Sequence, residues 1–511
     1  MEKIVMQGTK KIAVNTVYLY IRLIFVLVIS LFTVRIVLKA LGDVDYGIYN
    51  VVGGFVGMFG FLNTSMTNGV QRFYNYCLGK DGEKSLSKVY TASLYIQAGL
   101  AFFLILLVEG IGVWYVNNVM VLPVEKLLVA NYLFQFSLIG LLLSFLQIPY
   151  SAAVVAYERM NYYAIVGIID AVAKLGIAYA VIVVPEKLLY YGALLLGINI
   201  LNFCLFFFYA RCNFKTLVLE KKTDKHLVKE MLSFTGWNTF GSFAYVIRWQ
   251  GVNVLMNAFF GVIINAANGI ASQVSSALAY FSGNLIMAFK PQLTQSYAAT
   301  DYNRVRYLWF LMTRMSYALV LTLAIPIIFE IDYILRIWLG DGVPEYTESF
   351  SILVIISVLI GCFHSPMVQI IHATGKMRKF QIITSIVITS ILPLAWLCFK
   401  MGLNPNWAYW VTIFIYVVNQ IVGMMMVKQI FDYSYSSFVK DVILRCIAFT
   451  ITTPIVAMVL VELVPSSFIR FVAICLATAL MSLGITYVVI LNKNERKFLI
   501  SKMKNFIKHN K

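Results

Sequence analysis

The chain has 511 residues, of which 60% are hydrophobic and only 13% are charged. So little polar surface cannot cover a water-soluble globule of this size, and the composition therefore excludes a soluble enzyme or binding module. The net charge of +18 comes from Lys and Arg that crowd into every second loop between long apolar stretches, a pattern that indicates membrane topology and not nucleic-acid binding.

Fourteen apolar stretches are long enough to cross a bilayer, since a helical span needs about 20 residues. The predicted spans are 14–38, 46–70, 89–114, 127–155, 164–184, 188–210, 231–257, 262–289, 306–330, 348–373, 380–399, 406–427, 442–464 and 468–491. Because Lys and Arg concentrate in cytoplasmic loops, both termini are predicted to be cytoplasmic. The predicted fold class is an all-α integral membrane protein with about 14 transmembrane helices.

An internal repeat divides these spans into two six-helix lobes followed by two C-terminal helices. Gly42 follows span 1 and Gly261 follows span 7, 219 positions apart, and Thr16 and Thr235 keep the same spacing. An even number of helices separates the copies, so both lobes are expected to have the same orientation in the membrane. The predicted parts are an N-lobe (1–210, spans 1 to 6), a cytoplasmic inter-lobe linker (211–230), a C-lobe (231–428, spans 7 to 12), spans 13 and 14 (429–491) and a basic amphipathic cytoplasmic tail (492–511).

Two regions of the chain have polar features that suggest contacts with ligands or lipids. Spans 2, 7 and 8 contain clusters of amide and hydroxyl side chains, which lipid does not tolerate. These helix faces are therefore predicted to line a cavity between the lobes or to contact other helices. The tail alternates Lys and Arg with apolar residues at helical spacing, which predicts binding to anionic lipids of the inner leaflet.

The charges inside the predicted spans are mostly positive. Each charge at mid-bilayer costs about 2.5 to 3.5 kcal/mol, so an excess of cations implies an anionic ligand. Asp170 and Lys174 stand four residues apart and are expected to pair on one helix face, with Asp170 also a candidate for binding a coupling cation. The charged residues that we single out as candidates are the basic Arg22, Arg35, Lys174, Arg248 and Arg314 and the acidic Asp170.

Arg22 and Arg248 are the leading candidates for binding this anion, with Lys174 assisting. Arg22 and Arg35 point about 140° apart around their helix, and Arg22 lies nearer mid-membrane. Arg35 is expected to reach lipid headgroups or to meet Asp43 or Asp45, and is retained as a secondary candidate. Arg248 lies deep in span 7, in the opposite lobe. Two arginines from facing lobes can hold a diphosphate through forked, charge-assisted hydrogen bonds.

Three further residues are weaker candidates. Arg314 lies near the inner end of span 9, where snorkelling and ligand binding are equally open. Asn253 in span 7 is a secondary candidate for substrate contact. His364 in span 10 is a candidate for cation coupling, although a packed, hydrogen-bonded histidine is the more common case. The cysteines show no metal-ligand or paired spacing, and no nucleotide or cofactor motif is present, so the only expected co-ligand is a coupling H⁺ or Na⁺.

The amino-terminal region carries a recognisable motif. Residues 35–54 read RIVLKALGDVDYGIYNVVGG, followed by Gln71, Arg72 and Phe73 and then by Leu78, Gly79 and Lys80. Residues 14–90 thereby resemble Wzx-type polysaccharide flippases, members of the MOP exporter superfamily that also contains MATE drug exporters and MurJ lipid II flippases. The functional residues of the Wzx-type family are poorly fixed, so no site residue is transferred from it.

The resemblance implies a fold, a function and a location. It implies a V-shaped bundle of two lobes that works by alternating access. It further implies transfer of an undecaprenyl-diphosphate-linked oligosaccharide from the cytoplasmic to the periplasmic leaflet of the bacterial inner membrane, for the synthesis of O-antigen or capsule. The implied partners are the lipid-linked glycan and polysaccharide polymerase machinery.

Three alternatives to this function stay open to different degrees. A MurJ-like lipid II flippase handles the same diphosphate and lipid tail, so the residues do not separate it from an oligosaccharide flippase. A MATE-type exporter of small cations calls for buried carboxylates, whereas basic residues dominate the spans. A membrane polysaccharide polymerase or ligase is expected to have a large outer loop, and the longest predicted outer loop, 331–347, is short. We therefore predict a transporter and not an enzyme.

Overall fold

The predicted all-α membrane fold is confirmed. The computed structural model describes residues 2–57, 59–80, 82–83, 85–118, 124–339, 343–492 and 495–496. Within these ranges the chain is almost entirely helical and contains no strand. In the same ranges, eleven helical segments are long and apolar enough to cross a membrane.

Every predicted span coincides with helical structure. The helices of the first half of the chain are α1 (Glu2–Gly57), α2 (Gly60–Lys80), α3 (Leu86–Asn118), α4 (Leu127–Ala156), α5 (Met160–Ala180), α6 (Lys187–Asn213) and α7 (Lys225–Phe260). Those of the second half are α8 (Val262–Ala298), α9 (Tyr302–Phe329), α10 (Ile331–Leu339), α11 (Thr347–Thr374), α12 (Arg378–Thr389), α13 (Ile391–Lys400), α14 (Trp407–Lys428), α15 (Tyr435–Phe438), α16 (Leu444–Thr452), α17 (Ile455–Leu463) and α18 (Phe468–Ile485).

The three predicted spans outside the eleven apolar segments are the polar ones. Span 2 falls on the end of α1 and on α2, span 7 falls on α7, and span 8 falls on α8. Their amide and hydroxyl side chains lower the hydropathy of helices that are otherwise long enough to cross a bilayer. This polarity indicates that one face of each of these helices contacts protein or water and not lipid.

Span 2 differs from its prediction as a single helix over 46–70. The structure ends α1 at Gly57 and begins α2 at Gly60. Between them the Phe59 N–H donates to the Val56 carbonyl at 3.1 Å, and the Leu62 N–H donates to the Phe59 carbonyl at 3.1 Å. Glycine is a poor helix former, so the two glycines that flank this point favour an interruption there.

The chain divides into two compact units. The first unit comprises Lys11–Ser242, and the second comprises the described residues from Phe243 onward together with residues 2–10. The division falls within α7, beyond the predicted linker at 211–230. The linker segment packs on the first unit, because the Ser87 hydroxyl donates to Glu220 at 2.6 Å and the Tyr157 hydroxyl lies 2.9 Å from that of Thr216.

Each unit is built around one central helix that contains a proline. In the first unit α4 packs against α2, α3, α5 and α6, and in the second unit α11 packs against α8, α9 and α14. Pro149 lies inside α4 and Pro366 lies inside α11. The two units thus repeat the same helix arrangement, in agreement with the internal repeat.

The repeat is also visible in the backbone at its two glycines. Gly42 has φ 77° and ψ 172°, and Gly261 has φ 82° and ψ −173°. This combination of angles is accessible essentially only to glycine. Gly261 separates α7 from α8, and Gly42 kinks α1 at the corresponding position of the repeat. The two glycines therefore set the direction of the helical segments that follow them.

Substitution of either glycine by alanine is expected to destabilise the protein by about 1–3 kcal/mol, because a side chain is strained in this conformation. Gly47→Ala and Gly269→Ala are matched controls, since neither residue has a positive φ and an added β-carbon meets no atom within 4 Å. The unfolding midpoint in detergent measures the effect. The expectation would be contradicted if the Gly42→Ala and Gly261→Ala variants had the same unfolding midpoint as the control variants.

Spans 13 and 14 pack on α9 in the second unit. α9 contacts α16, α17 and α18. At the C-terminal end of α9, the Arg470 guanidinium makes a two-pronged ion pair with the buried Glu330, including Nη2 to Oε2 at 2.8 Å. In mid-helix the Tyr317 hydroxyl lies 2.7 Å from the Thr450 hydroxyl. The predicted tail at 492–511 lies outside the described residues, except for 492, 495 and 496.

Candidate functional site

The first unit contains a polar cavity of about 260 Å³, here called the amino-terminal cavity. Five helices, α1, α2, α4, α5 and α6, contribute to its wall. The lining is rich in hydrogen-bonding side chains of three kinds: amides, hydroxyls and charged groups. The polar lining residues are Arg22, Asn63, Thr67, Gln71, Ser144, Gln147, Ser151, Tyr163, Asp170 and Asn202.

Arg22 is the basic group of this cavity. Its guanidinium lies 4.9 Å from the centroid of the Tyr163 ring, and its Nε is buried with no hydrogen-bond partner among the described residues. Gly167 lies one turn beyond Tyr163 on α5. Its lack of a side chain provides the space for Arg22, because a β-carbon at this position would lie 2.8 Å from the Arg22 Cδ. No carboxylate in the described ranges makes an ion pair with Arg22.

Asp170 lines the same cavity, but both of its oxygens are already engaged. The Lys174 ammonium donates to Oδ2 at 2.8 Å, and the Asn202 amide donates to Oδ1 at 2.7 Å. The predicted pairing of Asp170 with Lys174 is thus confirmed. Lys174 itself is about half exposed and is not part of the cavity wall. The structure therefore brings Arg22 and Asp170 into one cavity, whereas Lys174 contacts Asp170 from outside it.

The second unit contains a cavity of about 240 Å³, here called the carboxyl-terminal cavity. Its wall is formed by α7, α8, α11 and α14. Arg248 is the one charged residue in this wall as far as the structure describes it. The Arg248 Cζ lies 5.5 Å from the Trp249 ring and 5.8 Å from the Tyr416 ring, and its Nε is buried with no hydrogen-bond partner in the described chain.

Hydrogen bonds between side chains connect three helices of the carboxyl-terminal cavity. The Tyr409 hydroxyl on α14 donates to Asn268 Oδ1 on α8, and the Asn268 amide donates to Asn253 Oδ1 on α7. Asn253 in turn donates to Gln250 Oε1 at 3.4 Å. The chain of bonds fixes the orientation of each amide. Asn253, a secondary candidate from the sequence, therefore lies in the cavity wall beside Arg248.

The two cavities occupy related positions in their units. At the repeat spacing, Asn63 corresponds to Ser282 and Thr67 to Ile286, and all four residues line their cavities. Arg22 corresponds to Gly241, and Arg248 lies seven residues further along α7. Seven residues are nearly two full turns of helix, so Arg248 lies on the same face of α7 as Gly241 does. Relative to its own helix, Arg248 therefore lies on the face that Arg22 occupies on α1, but about 10 Å further along the helix axis.

Two other sequence candidates lie outside both cavities. Arg35 is exposed, and the nearby Asp45 pairs with Lys126 at 2.7 Å instead of with Arg35. His364 lies on α11, with its Nε2 3.2 Å from the Asn419 amide, and its ring faces that of Phe380. The structure thus gives His364 a packed, hydrogen-bonded setting next to the carboxyl-terminal cavity.

Arg314 also lies outside both cavities and is neither snorkelling nor free to bind a ligand. Its side chain is 1% exposed, and Nη2 donates to Glu495 Oε1 at 3.0 Å. Nη1 donates to the Ile490 carbonyl at 2.9 Å and to Asn492 Oδ1 at 3.2 Å. Ile490, Asn492 and Glu495, at and after the end of span 14, thus contact the middle of α9, an arrangement that the sequence of span 9 alone does not reveal.

Sequence reasoning identified Asp170 and Asn253 but missed the other residues that surround the two arginines. Tyr163, Gly167 and Asp170 fall at positions i, i+4 and i+7 of α5, which places them on one helix face. That spacing was a usable signal for the wall opposite Arg22. Asn202 and Tyr416 come from distant helices, and no local pattern marks them.

Gly167→Ala is expected to lower the activity of the protein without removing a charge, because the new methyl group displaces the Arg22 side chain from the cavity. Gly176→Ala on the same helix is the matched control, since a β-carbon there meets no atom within 4 Å. Transport by the two purified variants in vesicles measures the difference. Equal activity of the two variants would show that the position of Arg22 is unimportant.

The sequence matches no known protein family and no curated protein. The fold, however, is similar to solved transporters. One is a MOP superfamily transporter from Pyrococcus furiosus, for which a reverse polarity of the binding pocket suggests a different function. It is 11% identical, with a TM-score of 0.69 over 84% of this chain and 96% of that one.

Two other similar structures are MATE proteins. A multidrug resistance MATE family transporter in an outward-facing conformation is 11% identical, with a TM-score of 0.70 over 83% of this chain and 96% of that one. A MATE protein in complex with MaL6 is 10% identical, with a TM-score of 0.67 over 82% and 95%. The chain is therefore a multi-pass membrane protein with the fold of MATE and other MOP superfamily transporters.

Proposed function

We propose that the protein is a flippase that moves an undecaprenyl-diphosphate-linked oligosaccharide from the cytoplasmic to the periplasmic leaflet of a bacterial inner membrane. The proposal rests on one observation above all: each unit contains a cavity lined by one arginine that has no carboxylate partner among the described residues. In this proposal the termini are cytoplasmic, the tail binds anionic lipids, and the glycan passes on to polysaccharide polymerase machinery.

The arginines favour an anionic ligand. A guanidinium held in the membrane region without a counter-ion is costly, and an anion that enters the cavity offsets this cost. A diphosphate has several oxygens and accepts forked hydrogen bonds from arginine. We propose that Arg22 and Arg248 each donate to the diphosphate, with Lys174 contributing positive potential from behind Asp170.

The remaining cavity walls favour a cargo with many hydroxyl groups. A sugar loses its hydration when it leaves water, and this loss is tolerable only where other hydrogen-bonding groups replace it. The amino-terminal cavity supplies such groups from Asn63, Thr67 and Ser144. An apolar lipid tail needs no replacement of this kind and can stay in the bilayer during transfer.

A MATE-type exporter of small cations is the second candidate, because the fold is shared with multidrug transporters. A cationic drug needs an available carboxylate. Asp170 is the one acid in the two cavity walls that the structure describes, and Lys174 and Asn202 engage both of its oxygens. For coupling to H⁺ or Na⁺ we propose Asp170, where the small ion would replace the Lys174 ammonium at Oδ2, with His364 as the second candidate.

The test is a flipping assay in vesicles that contain the purified protein. Undecaprenyl-diphosphate-linked oligosaccharide, lipid II and a small cationic dye are supplied separately, and the arrival of each on the opposite side is measured. Transport of the oligosaccharide alone is the expected result. Preferential transport of lipid II would assign a MurJ-like function, and transport of the dye alone would overturn the proposal.

A further inference from the structure

We infer that α2 and the first half of α7 form a latch that keeps the cytoplasmic side of the transport path closed and that opens once in each transport cycle. The inference rests on the proposed function and names the contact that controls access to its site. The latch is the face of α2 that contains Ser65, Gly69 and Arg72, packed against Lys225–Ser242 of α7. All of these residues belong to the first compact unit.

Transfer by alternating access requires this contact to open. The predicted lobes assign α2 to the N-lobe and residue 231 onward of α7 to the C-lobe. Rocking of the lobes, which exposes a transport site to each side of the membrane in turn, separates helices of different lobes on one side. In the proposed topology, the C-terminal end of α2 and the N-terminal end of α7 lie on the cytoplasmic side.

The two helices of the latch approach each other very closely. A β-carbon at Gly69 would lie 2.5 Å from the Thr235 Oγ1 and 3.6 Å from the Thr235 Cβ. One turn before Gly69, the Ser65 hydroxyl lies 3.3 Å from the Ser242 hydroxyl, and the Asn238 amide donates to the Ser65 carbonyl at 3.4 Å. Contacts this close exclude a cargo from the space between the helices.

The ion pair of the latch can break and re-form. Arg72 Nη1 lies 3.6 Å from Glu230 Oε1, and the Glu230 side chain is 49% exposed. An ion pair with so exposed a partner adds little net stability, so its separation is easy. After separation, water solvates Glu230, and the Arg72 guanidinium keeps its contacts with Phe73 and Tyr76 of its own helix, 4.5 and 4.8 Å from their rings.

The latch is connected to both cavities. Asn63, Thr67 and Gln71 line the amino-terminal cavity from the face of α2 opposite to the latch. α7 is a continuous helix that extends from the latch to Arg248 in the wall of the carboxyl-terminal cavity. A rigid helix transmits a displacement along its length, so separation of α7 from α2 changes one wall of each cavity.

Disulfide bonds across the latch provide the test. In a full-length variant whose seven native cysteines are replaced by alanine, Gly69→Cys with Thr235→Cys brings the two β-carbons to 3.6 Å, within the disulfide range. Oxidation is expected to slow transport of lipid-linked oligosaccharide in vesicles at least about tenfold, because the open state becomes inaccessible, and reduction should restore it. Ser65→Cys with Ser242→Cys is a second pair across the latch, used if the first variant does not fold.

A disulfide elsewhere in the first unit is the matched control. Gly140→Cys with Asn199→Cys joins α4 to α6, and a β-carbon at Gly140 would lie 3.9 Å from the Asn199 Cβ. Both helices belong to the same predicted lobe and move together when the lobes rock. Oxidation of this pair is therefore expected to change the transport rate by less than about twofold.

Cysteine labelling tests the ion pair. In the cysteine-free variant, a single Ser65→Cys is fully buried while the latch is closed, so a water-soluble maleimide reacts with it only from the open state. Glu230→Gln is expected to raise the labelling rate about threefold, because it removes the ion pair with Arg72. Lys229→Gln is the control, since Lys229 is the exposed neighbour on the same helix, and should leave the rate unchanged.

The outcomes separate this inference from the proposed function. Normal transport after oxidation of the latch pairs, or an equal loss with the control pair, would overturn the latch and leave the flippase proposal intact. Complete protection of Ser65→Cys, or equal labelling of the Glu230→Gln and Lys229→Gln variants, would also overturn it. If the cysteine-free and unaltered proteins transport no lipid-linked oligosaccharide, the flippase proposal itself fails, and the labelling rates still decide whether the latch opens.

Discussion

Arg22→Gln and Arg248→Gln variants are each expected to transport lipid-linked oligosaccharide about ten- to a hundredfold more slowly than the unaltered protein. Glutamine retains hydrogen-bonding capacity but removes the positive charge, and a hydrogen bond to a charged group contributes about 1.5–3 kcal/mol. Neither arginine has an ion-pair partner in the described structure, so little stability should be lost. The flipping rate in vesicles, measured beside the unfolding midpoint, tests both parts of this expectation.

Two comparisons make this prediction specific. Arg336→Gln is the control, because Arg336 is an exposed residue on α10 that pairs with Asp332 and lines neither cavity. Arg22→Lys and Arg248→Lys should retain part of the activity, since lysine keeps the charge but loses the forked geometry. If the glutamine variants transport at the normal rate, the assignment of the diphosphate to these arginines fails.

Arg314→Gln is expected to destabilise the second unit by about 3–5 kcal/mol, the cost of leaving a buried charge without its partner. The uncompensated charge is that of Glu495, whose side chain is 7% exposed. The unfolding midpoint and the yield of monodisperse protein in detergent should both fall sharply. The exposed pair of Arg336 and Asp332 again supplies the control, because exposed ion pairs contribute about 0–1 kcal/mol.

The double variant Arg314→Met with Glu495→Leu separates a structural role from ligand binding. Replacement of both partners by apolar residues removes the buried charges together, so most of the stability should return. Transport should return with it if Arg314 serves only to hold the structure. A stable double variant that does not transport would reinstate Arg314 as a candidate for substrate contact.

The placement of most membrane-spanning helices could be predicted from the sequence because lipid imposes one simple rule. A span must be helical, apolar and about 20 residues long, and this rule acts on each stretch of the chain independently. The break between Gly57 and Gly60 escaped prediction because a glycine inside an apolar stretch is compatible with either a continuous or an interrupted helix. The boundary between the compact units was not predicted for a related reason, because α7 is continuous across it and no loop marks it in the sequence.

The candidate site was predictable only in part. Arg22 and Arg248 stand out in the sequence because a charge within an apolar span is rare. Their surroundings depend on which helices become neighbours, and contacts such as Arg22 with Tyr163 join helices that are far apart in the chain. The same limit explains Arg314: its partner Glu495 follows span 14, and nothing in span 9 identifies it.

The ion pairs of α9 indicate how much of the chain is needed for the second unit to fold. Glu330 near one end of α9 is neutralised by Arg470 of α18, and Arg314 towards the other end is neutralised by Glu495, which follows span 14. Removal of everything after span 12 would leave both charges without a counter-ion within a membrane-spanning region. The twelve spans of the internal repeat are thus not a self-sufficient minimal protein, and the last two spans belong to the folding unit of the second half.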